Sequence, residues 1–298
     1  MLHQRRAIRI RGQVQGVGFR PFIYRLASQR GLSGWVRNDG AGVDIEIQGD
    51  AATLDDFLDA LRDLPPLARI DSLQASELPA LALEPAFTIA ASSSDSVSAD
   101  ITPDTAICRH CLAELFDPQD RRYRYPFISC TDCGPRYTIT AALPYDRPNT
   151  SMAGFPLCPG CAQEYRDPGD RRFHAQPNAC PVCGPRLTLR DAQGVALAAA
   201  DVVTAALEGL QTGAILAIKG LGGFHLVCDA QNPAAVERLR QCKQRDAKPF
   251  AVMAANVASL TPWVEGDPEE WRLLESPQRP IVLLRRRLDS PRPPGERP

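Results

Sequence analysis

The sequence predicts an α+β protein of several domains, and three stretches of the chain support this prediction. Residues 1–91 follow the order β-α-β-β-α-β. Between Cys108 and Cys183, eight cysteines form four Cys-x-x-Cys pairs. From residue 200 onward, a helical pattern, a strand pattern and a glycine-rich turn are typical of an α/β domain. A length of 298 residues suits two or three domains.

The elements of the first stretch follow from periodicity. Apolar residues alternate in the strands and recur at helical spacing in the helices, and Gly31 and Pro65-Pro66 end the two helices. The predicted elements are a strand at 7–14, a helix containing Phe22, Ile23, Leu26 and Ala27, a hairpin of 34–38 with 43–47, a helix at 54–64, and short strands near 71–77 and 86–90. This order is that of a ferredoxin-like split βαβ unit.

A glycine-rich turn, Gln15-Gly16-Val17-Gly18-Phe19, joins the first strand to the first helix, and Arg20 follows it. Backbone N–H groups at a helix N-terminus and a guanidinium group can together hold a phosphate. A plain tight connection is the alternative interpretation.

Residues 14–20, with Gly31-Leu32-x-Gly34-Trp35-Val36-x-Asn38, closely resemble acylphosphatases across this whole domain. The resemblance implies that residues 15–19 hold the substrate phosphate, that Arg20 binds it and that Asn38 positions the attacking water. No His, Cys or Ser nucleophile is needed when a reactive acyl phosphate is polarised and a water is oriented.

The cysteine-rich stretch is a tandem duplication. Cys108-x-x-Cys111, eighteen residues and Cys130-x-x-Cys133 recur fifty residues later as Cys158-x-x-Cys161, eighteen residues and Cys180-x-x-Cys183. Asp117-Pro118-x-Asp120-Arg121-Arg122 and Cys133-Gly134-Pro135-Arg136 recur in the same register. Two such pairs complete a tetrahedral four-thiolate site, so each unit is predicted to be zinc-ribbon-like with one structural Zn²⁺.

Two other interpretations of the cysteines stay open at this point: two disulfides per unit, or iron sites of rubredoxin type. Gly134 and Gly184 are expected to have left-handed backbone after the second cysteine pair of each unit. His110 and His174 are expected to face solvent, because four thiolates already saturate each ion.

The last hundred residues predict an α/β arrangement. Expected are a helix at 201–210, a buried strand at 214–219, a helix from Asn232 with Val236, Leu239 and Cys242 on its buried face, and a strand at 250–254. Cys228 is also expected to be buried.

Lys219-Gly220-x-Gly222-Gly223-Phe224-His225-Leu226 and Lys243-x-Arg245-x-x-Lys248-Pro249 are similar to the start of a YrdC-like domain. The resemblance implies ATP binding with Mg²⁺ and a carbamoyl-adenylate intermediate, with Lys219, His225, Lys243, Arg245 and Lys248 as nucleotide or carbamate contacts. A solvated helix end is the alternative for the basic cluster. The match stops before residues 285–294, which suggest a disordered tail and a truncated domain.

Charge and hydropathy limit the classes of function. The formal net charge is −1, and no stretch approaches the length of about 20 apolar residues that spans a bilayer. Without a signal-peptide pattern, and with reduced cysteines, a cytoplasmic protein is expected. Residues 108–190 contain eleven arginines and eight acidic residues, and two Zn²⁺ with eight thiolates bring the formal charge of this stretch to −1. It therefore lacks the positive charge that nucleic-acid binding requires.

Taken together, the three motif sets resemble the N-terminal part of the HypF family, carbamoyltransferases of [NiFe]-hydrogenase maturation. The predicted organisation is an acylphosphatase-like domain at 1–91, a linker at 92–104, finger units at 105–154 and 155–190, and an incomplete YrdC-like domain at 200–298. The resemblance implies hydrolysis of carbamoyl phosphate, activation of the carbamate with ATP, and transfer to the C-terminal cysteine of HypE through a domain that this sequence lacks. From HypE the group becomes the cyanide ligands of the hydrogenase iron.

Two non-catalytic interpretations remain beside this one. Tandem zinc ribbons can form a nucleic-acid- or protein-binding module, and a zinc-stapled scaffold can carry an idle acylphosphatase loop.

Overall fold

The computed structural model describes residues 3–82, 86–93, 101–220, 222–245 and 248–287. It divides into two compact units, Met1–Pro185 and Arg186–Pro298. Residues 288–294 of the predicted tail, Leu221 of the glycine-rich turn and part of the predicted linker lie outside the described residues, whereas Arg285 and Arg286 of that tail form a short strand and were wrongly expected to be disordered. In the described part of the chain, no helix combines the length and apolar character needed to cross a membrane.

The first unit begins with a five-stranded sheet covered by two helices. Its elements are β1 (Gln4–Gln13), α1 (Phe19–Gln29), β2 (Ser33–Asp39), β3 (Gly42–Gly49), α2 (Ala51–Ala60), β4 (Arg69–Leu78) and β5 (Thr88–Ile89). The strand order is β4-β1-β3-β2-β5, antiparallel except for the β2–β5 pair. The predicted ferredoxin-like βαββαβ fold is confirmed.

The core follows the two-residue period of the strands. Val43, Ile45 and Ile47 of β3 are each at most 1% exposed, whereas Asp44 and Glu46 between them are half-buried. Phe19 and Ile23 of α1 pack into the same cluster. On β2, Asn38 shares the buried face of Val36, so a polar side chain is held at the end of the core, beside the loop after β1.

The two cysteine-rich repeats follow within the same compact unit. Each places its first cysteine at the start of a short helix, α3 (Arg109–Phe116) after Cys108 and α4 (Pro159–Arg166) after Cys158. Short 3-10 turns at Tyr137–Ile139, Arg147–Asn149 and Ser151–Gly154 lie between the repeats.

The duplication is preserved in backbone geometry. Arg124 and His174, fifty positions apart, both adopt left-handed backbone, with φ of 56° and 54°. Their N–H groups donate to the carbonyls of Leu115 and Tyr165, which are also fifty positions apart.

The second unit is a set of short elements around small sheets. They are β6 (Leu189–Arg190), β7 (Ala196–Leu197), α5 (Val202–Gln211), β8 (Leu216–Lys219), β9 (Phe224–Val227), α6 (Pro233–Lys243), β10 (Val264–Glu265), α7 (Pro268–Glu275) and β11 (Arg285–Arg286), with a 3-10 turn at Val257–Ser259. Asp201, Asn232 and Asp267 cap the three helices by accepting backbone N–H groups, as short polar side chains do at helix starts.

Several expectations for this unit were wrong. The predicted buried strand forms β8 but is largely exposed, because its one strand partner among the described residues is β9. Residues 250–254 are not a strand, and Met253 is 97% exposed. Cys242 is exposed, since the buried residues of α6 are Ala235, Val236, Leu239 and Arg240, and Cys228, which precedes this helix, is only half-buried.

Candidate active site and metal centres

The loop between β1 and α1 has the geometry of an anion cradle. Gly16 and Gly18 have φ of 75° and 73°, in the left-handed region that favours glycine. Gly18 is the residue from which α1 begins, so the unpaired N–H groups of the first helical turn face the loop. Arg20, in that turn, is 8% exposed, and Asn38 is 1% exposed.

Arg20 and Asn38 meet at a backbone carbonyl from the segment between the two cysteine repeats. The carbonyl oxygen of Tyr145 accepts from Arg20 Nη2 at 3.1 Å and from Asn38 Nδ2 at 3.4 Å. Asp146 Oδ1 lies 2.7 Å from the same guanidinium nitrogen. The predicted pair is thus brought together, and residues from outside the first domain orient both side chains.

Gln15 anchors this segment to the cradle. Its amide nitrogen donates to the carbonyls of Asp39 and Gly42 at 2.6 and 2.9 Å, and its Oε1 accepts from the N–H of Tyr145 at 2.9 Å. Gln15 is 2% exposed and therefore holds the loop in place through its side chain. Arg136 Nε also donates to the carbonyl of Gly16.

A pocket opens at this junction, and both parts of the unit line it. The cradle side supplies Gly16, Gly18, Phe19, Arg20 and Asn38, while the finger side supplies Thr131, Arg136, Tyr145 and residues 174–177. Sequence reasoning missed the finger-side residues. One signal was available, because Tyr145 and Asp146 lie in the spacer 141–157, which has no counterpart in the fifty-residue repeat.

Both histidines of the repeats were expected to face solvent. His110 is exposed, but His174 is half-buried, so the expectation was wrong for His174. The His174 ring contacts Tyr165 and Phe173 with ring centroids 4.9 and 4.7 Å apart, and the residue lines the pocket. Burial, with a contribution from the Arg20 cation, lowers the pKa of His174 to about 4. The imidazole is therefore neutral at physiological pH.

Each repeat brings four thiol groups together. In the first unit, the Sγ atoms of Cys130 lie 3.8 Å from those of Cys108 and Cys133, and Cys133 lies 3.5 Å from Cys111. In the second, Cys180 lies 3.7 Å from Cys158 and Cys183, and Cys183 lies 3.6 Å from Cys161.

These distances fit tetrahedral zinc. A Zn–S bond of about 2.3 Å places sulfur atoms about 3.8 Å apart at tetrahedral angles. Disulfide sulfurs would lie at about 2.0 Å, and all eight cysteines are free. Both sets satisfy the requirement that all four ligand atoms be mutually close. The residues therefore fit two closed, structural Zn²⁺ sites and do not form the disulfides considered above.

Arginines of each metal unit donate hydrogen bonds to side chains of the other unit. From the first unit, Arg121 donates to Cys161 Sγ at 3.0 Å and Arg122 donates to Glu164 at 2.9 and 2.6 Å. From the second unit, Arg171 donates to Cys111 Sγ at 3.0 Å, and Arg172 pairs with Glu114.

The repeated Asp-Arg-Arg sequence aims both pairs. Asp120 and Asp170 accept the N–H of Arg122 and Arg172 at 2.7 Å, which closes the turn that follows each helix. Arg122 is 1% exposed, and its buried charge is compensated by the Glu164 carboxylate of the other metal unit. Burial of Glu164 favours its neutral form, but hydrogen bonds from Arg122 and Arg121 prevail and lower its pKa to about 2.

The two glycines after the cysteine pairs differ. Gly134 has φ of 95°, as expected, but Gly184 is not among the residues with positive φ. A Cβ at Gly184 would lie 2.2 Å from the Tyr125 hydroxyl and 2.6 Å from Ala179 Cβ. Glycine is required there by close packing, so the expectation of left-handed backbone was wrong at this position.

The predicted nucleotide contacts lie on two parts of the second unit. Lys219 and His225 stand on the β8–β9 hairpin, where Lys219 Nζ lies 5.1 Å from the Phe224 ring centre. Lys243 ends α6, and Arg245 donates to the carbonyls of Lys248 and Pro249 at 3.3 and 3.0 Å. No hydrogen bond or ion pair joins the two groups among the described residues, and their nucleotide role stays a prediction.

Fold and sites together define a protein in which an acylphosphatase-type domain is packed against two four-cysteine metal units. Family profiles agree: "Acylphosphatase" matches residues 6–89, "HypF finger" matches 107–140 and 157–190, and "Telomere recombination", the profile of YrdC-like proteins, matches 208–295. Acylphosphatase from Bacillus pumilus is 40% identical over 74 residues, which cover 24% of this chain and 82% of that protein.

Longer relatives match nearly the whole chain. Carbamoyltransferase HypF2 of Cupriavidus necator is 61% identical over 94% of this chain and 35% of its own length, and carbamoyltransferase HypF of Synechocystis is 53% identical over 94% and 37%. A crystal structure of full-length HypF in the phosphate- and nucleotide-bound form superposes with a TM-score of 0.91 at 44% identity, over 96% of this chain and 38% of that one. The chain belongs to the HypF carbamoyltransferase family and spans about a third of the length of the relatives it matches.

Proposed function

We propose that this chain carries out the entry step of carbamoyl transfer, the hydrolysis of carbamoyl phosphate at the site of Arg20 and Asn38. The observation that carries the proposal is the convergence of these two buried side chains beside a left-handed glycine cradle. The phosphate occupies the N–H groups of the cradle and the guanidinium of Arg20, while the Asn38 amide orients a water.

The chemistry balances without a side-chain nucleophile. The water oxygen forms a bond to phosphorus, the bond between phosphorus and the acyl oxygen breaks, and its electron pair leaves with the carbamate. Carbamoyl phosphate dianion and water thus give carbamate and dihydrogen phosphate. The fixed donors stabilise charge on the transferring phosphoryl group, which is the main contribution that a protein makes to such a step.

The four-cysteine units serve this site as a scaffold. When bound, Zn²⁺ would hold the eight thiolates at fixed positions and supply folding free energy to a stretch with little apolar core. The residues that the units hold in place, Tyr145, Asp146 and Arg136, then contact the cradle directly.

The later steps belong to the proposal for the longer relatives of this chain. ATP with Mg²⁺ would activate the carbamate as carbamoyl-adenylate at the YrdC-like unit, and the carbamoyl group would pass to the C-terminal cysteine of HypE, as the precursor of the cyanide ligands. A relative crystallised in the phosphate- and nucleotide-bound form supports the presence of a site for each ligand in these longer proteins. Cytoplasmic location accords with eight free, metal-competent thiols.

Phosphate release from carbamoyl phosphate by the purified chain tests the entry step. Arg20→Ala and Asn38→Ala should each lower kcat/KM about 100-fold, the size expected for loss of a charge-stabilising or positioning group. The matched control is Arg6→Ala. Arg6 lies at the end of β1 opposite the cradle, and its partner Asp55 is exposed. Equal rates in all four zinc-loaded proteins would contradict the proposal.

A further inference from the structure

The pocket at the cradle has a wall that an isolated acylphosphatase domain cannot provide. The profile for that family ends at residue 89, whereas Thr131, Arg136, Tyr145 and residues 174–177 complete the lining. Tyr145 is central to this wall, since its N–H, its carbonyl and its ring all contact the cradle side. Its ring packs toward Gly16, where an added Cβ would lie 3.6 Å from Tyr145 Cδ1.

Two polar atoms on residues of the pocket lining are buried without a hydrogen-bond partner among the described residues. They are Asn38 Oδ1 and the hydroxyl of Tyr145, on residues that are 1% and 3% exposed. An unpaired buried polar group costs free energy, so two at one pocket indicate groups that a ligand completes. Another polar side chain of the wall, Gln176, already accepts from the N–H of Arg147 and from the hydroxyl of Tyr165.

The chemistry of the two atoms differs from that of the phosphate cradle. Donors are already present there, because Arg20 and the helix N-terminus supply N–H groups, whereas the guanidinium nitrogens of Arg136 all donate to backbone carbonyls. Asn38 Oδ1 can only accept, and the attacking water satisfies it. The Tyr145 hydroxyl can accept as well as donate, and an N–H on the acyl group is a partner for its oxygen that an ionised phosphate cannot provide.

We infer that Tyr145 is a specificity-determining residue of the hydrolytic site, its hydroxyl oxygen accepting an N–H from the amide of a carbamoyl phosphate. This inference rests on the proposed function and adds the basis on which the site selects its acyl group. Carbamoyl and acetyl phosphate have nearly the same shape and differ in NH₂ against CH₃. A buried polar group left unpaired by the methyl group discriminates between them, whereas size does not.

The test compares carbamoyl phosphate with acetyl phosphate as substrates of the full chain. Tyr145→Phe removes one oxygen and keeps the ring, so it should lower kcat/KM for carbamoyl phosphate about tenfold or more and change that for acetyl phosphate less than threefold. Tyr137→Phe is the matched control, since Tyr137 is 64% exposed in the same metal-bound part of the unit. Its selectivity should equal that of the unaltered chain.

Other outcomes separate the two claims. If Tyr145→Phe lowers both rates equally, the hydroxyl acts on the carbonyl or on the phosphate and the inference is overturned. If it lowers neither while Arg20→Ala abolishes hydrolysis, the inference fails and the proposed function stands. If Arg20→Ala also leaves carbamoyl phosphate hydrolysis intact, the proposed function itself fails. Zinc content and circular dichroism verify that every variant is folded.

Discussion

Arg171 of the second metal unit donates a hydrogen bond of 3.0 Å to the sulfur of Cys111 in the first. Arg121 makes the equivalent bond to Cys161 at the same distance in the opposite direction. A zinc ion with four thiolates carries a formal charge of −2, and here a cation of the neighbouring unit offsets it. Outer hydrogen bonds of this kind set the basicity and orientation of metal ligands.

Loss of one metal site should therefore weaken the other. Cys158→Ser removes a ligand of the second metal site. Without its metal, the second cysteine repeat should hold Arg171 less firmly against Cys111. We expect one zinc per chain instead of two, and about tenfold easier removal of the remaining ion in a chelator competition. Cys242→Ser, an exposed cysteine outside both clusters, should keep two zinc ions. Unchanged affinity at the first site would show that the units are independent.

Breaking the ion pair between Arg122 and Glu164, which joins the two metal units, should destabilise the compact unit Met1–Pro185. Glu164→Gln leaves the guanidinium of Arg122, whose side chain is 2% exposed, without its carboxylate. Removal of one partner of a buried pair costs about 3 kcal/mol, so the thermal midpoint with excess zinc should fall by several degrees. Glu269→Gln, at an exposed pair with Arg272, should leave the midpoint unchanged. A similar midpoint for both variants would contradict the buried-pair argument.

The carboxylate of Asp146 should compete with phosphate for Arg20. Asp146→Asn removes a negative charge 2.7 Å from the guanidinium, so inorganic phosphate should bind about tenfold tighter. Turnover of carbamoyl phosphate should fall, because Arg20 loses an orienting partner. Calorimetric titration with phosphate measures the first effect, with Asp55→Asn, an exposed partner of Arg6, as the control. Phosphate binding that is unchanged or weaker would refute the competition.

His174 should remain neutral over the range in which ordinary histidines titrate. Its folded pKa of about 4 lies below the usual value of about 6.5, and the groups facing it are Arg20, Asp146 and Tyr165. Since the unfolded state binds the proton more readily, this residue's contribution to stability is complete above about pH 6.5 and falls as pH drops toward 4. In histidine-selective NMR between pH 8 and 5.5, the ring signal that is absent in His174→Gln should not titrate. Titration of that signal near pH 6.5 would contradict the burial.

Gly184 should tolerate no side chain. A methyl group at this position meets the Tyr125 hydroxyl and Ala179, so Gly184→Ala should cost about 2 kcal/mol through overpacking. Gly154→Ala is the matched control, because nothing lies within 4 Å of an added Cβ there. Zinc-loaded thermal unfolding distinguishes the two, and equal midpoints would show that the neighbours of Gly184 move aside at little cost.

The parts predictable from sequence were those with a local cause. Alternation and capping residues place β3 and α6, and the Cys-x-x-Cys spacing alone specifies both metal sites. Two contacts could not be predicted from the sequence: that of Tyr145 with Gln15, which spans 130 positions, and that of Arg171 with Cys111, which spans 60. Those contacts depend on how two domains and two repeats pack, and periodicity carries no information about that.

The exposure of β8 and the irregular backbone at 250–254 have the same origin. A run such as Phe250-Ala251-Val252-Met253 has strand propensity, but a strand also requires a neighbour to pair with. Among the described residues, β8 pairs with β9 alone. Tertiary pairing therefore overrides propensity in this unit.

The contact between Gln15 and Tyr145 also implies an order in which parts of this chain fold. The five-stranded sheet is made by the first 89 residues and can form from nearby segments, whereas its pocket closes only when a segment 130 positions away arrives. That segment is positioned between two clusters that require a metal to hold their shape. A chain without bound zinc is accordingly expected to keep its sheet but to have a cradle that lacks the finger-side wall contributed by Tyr145.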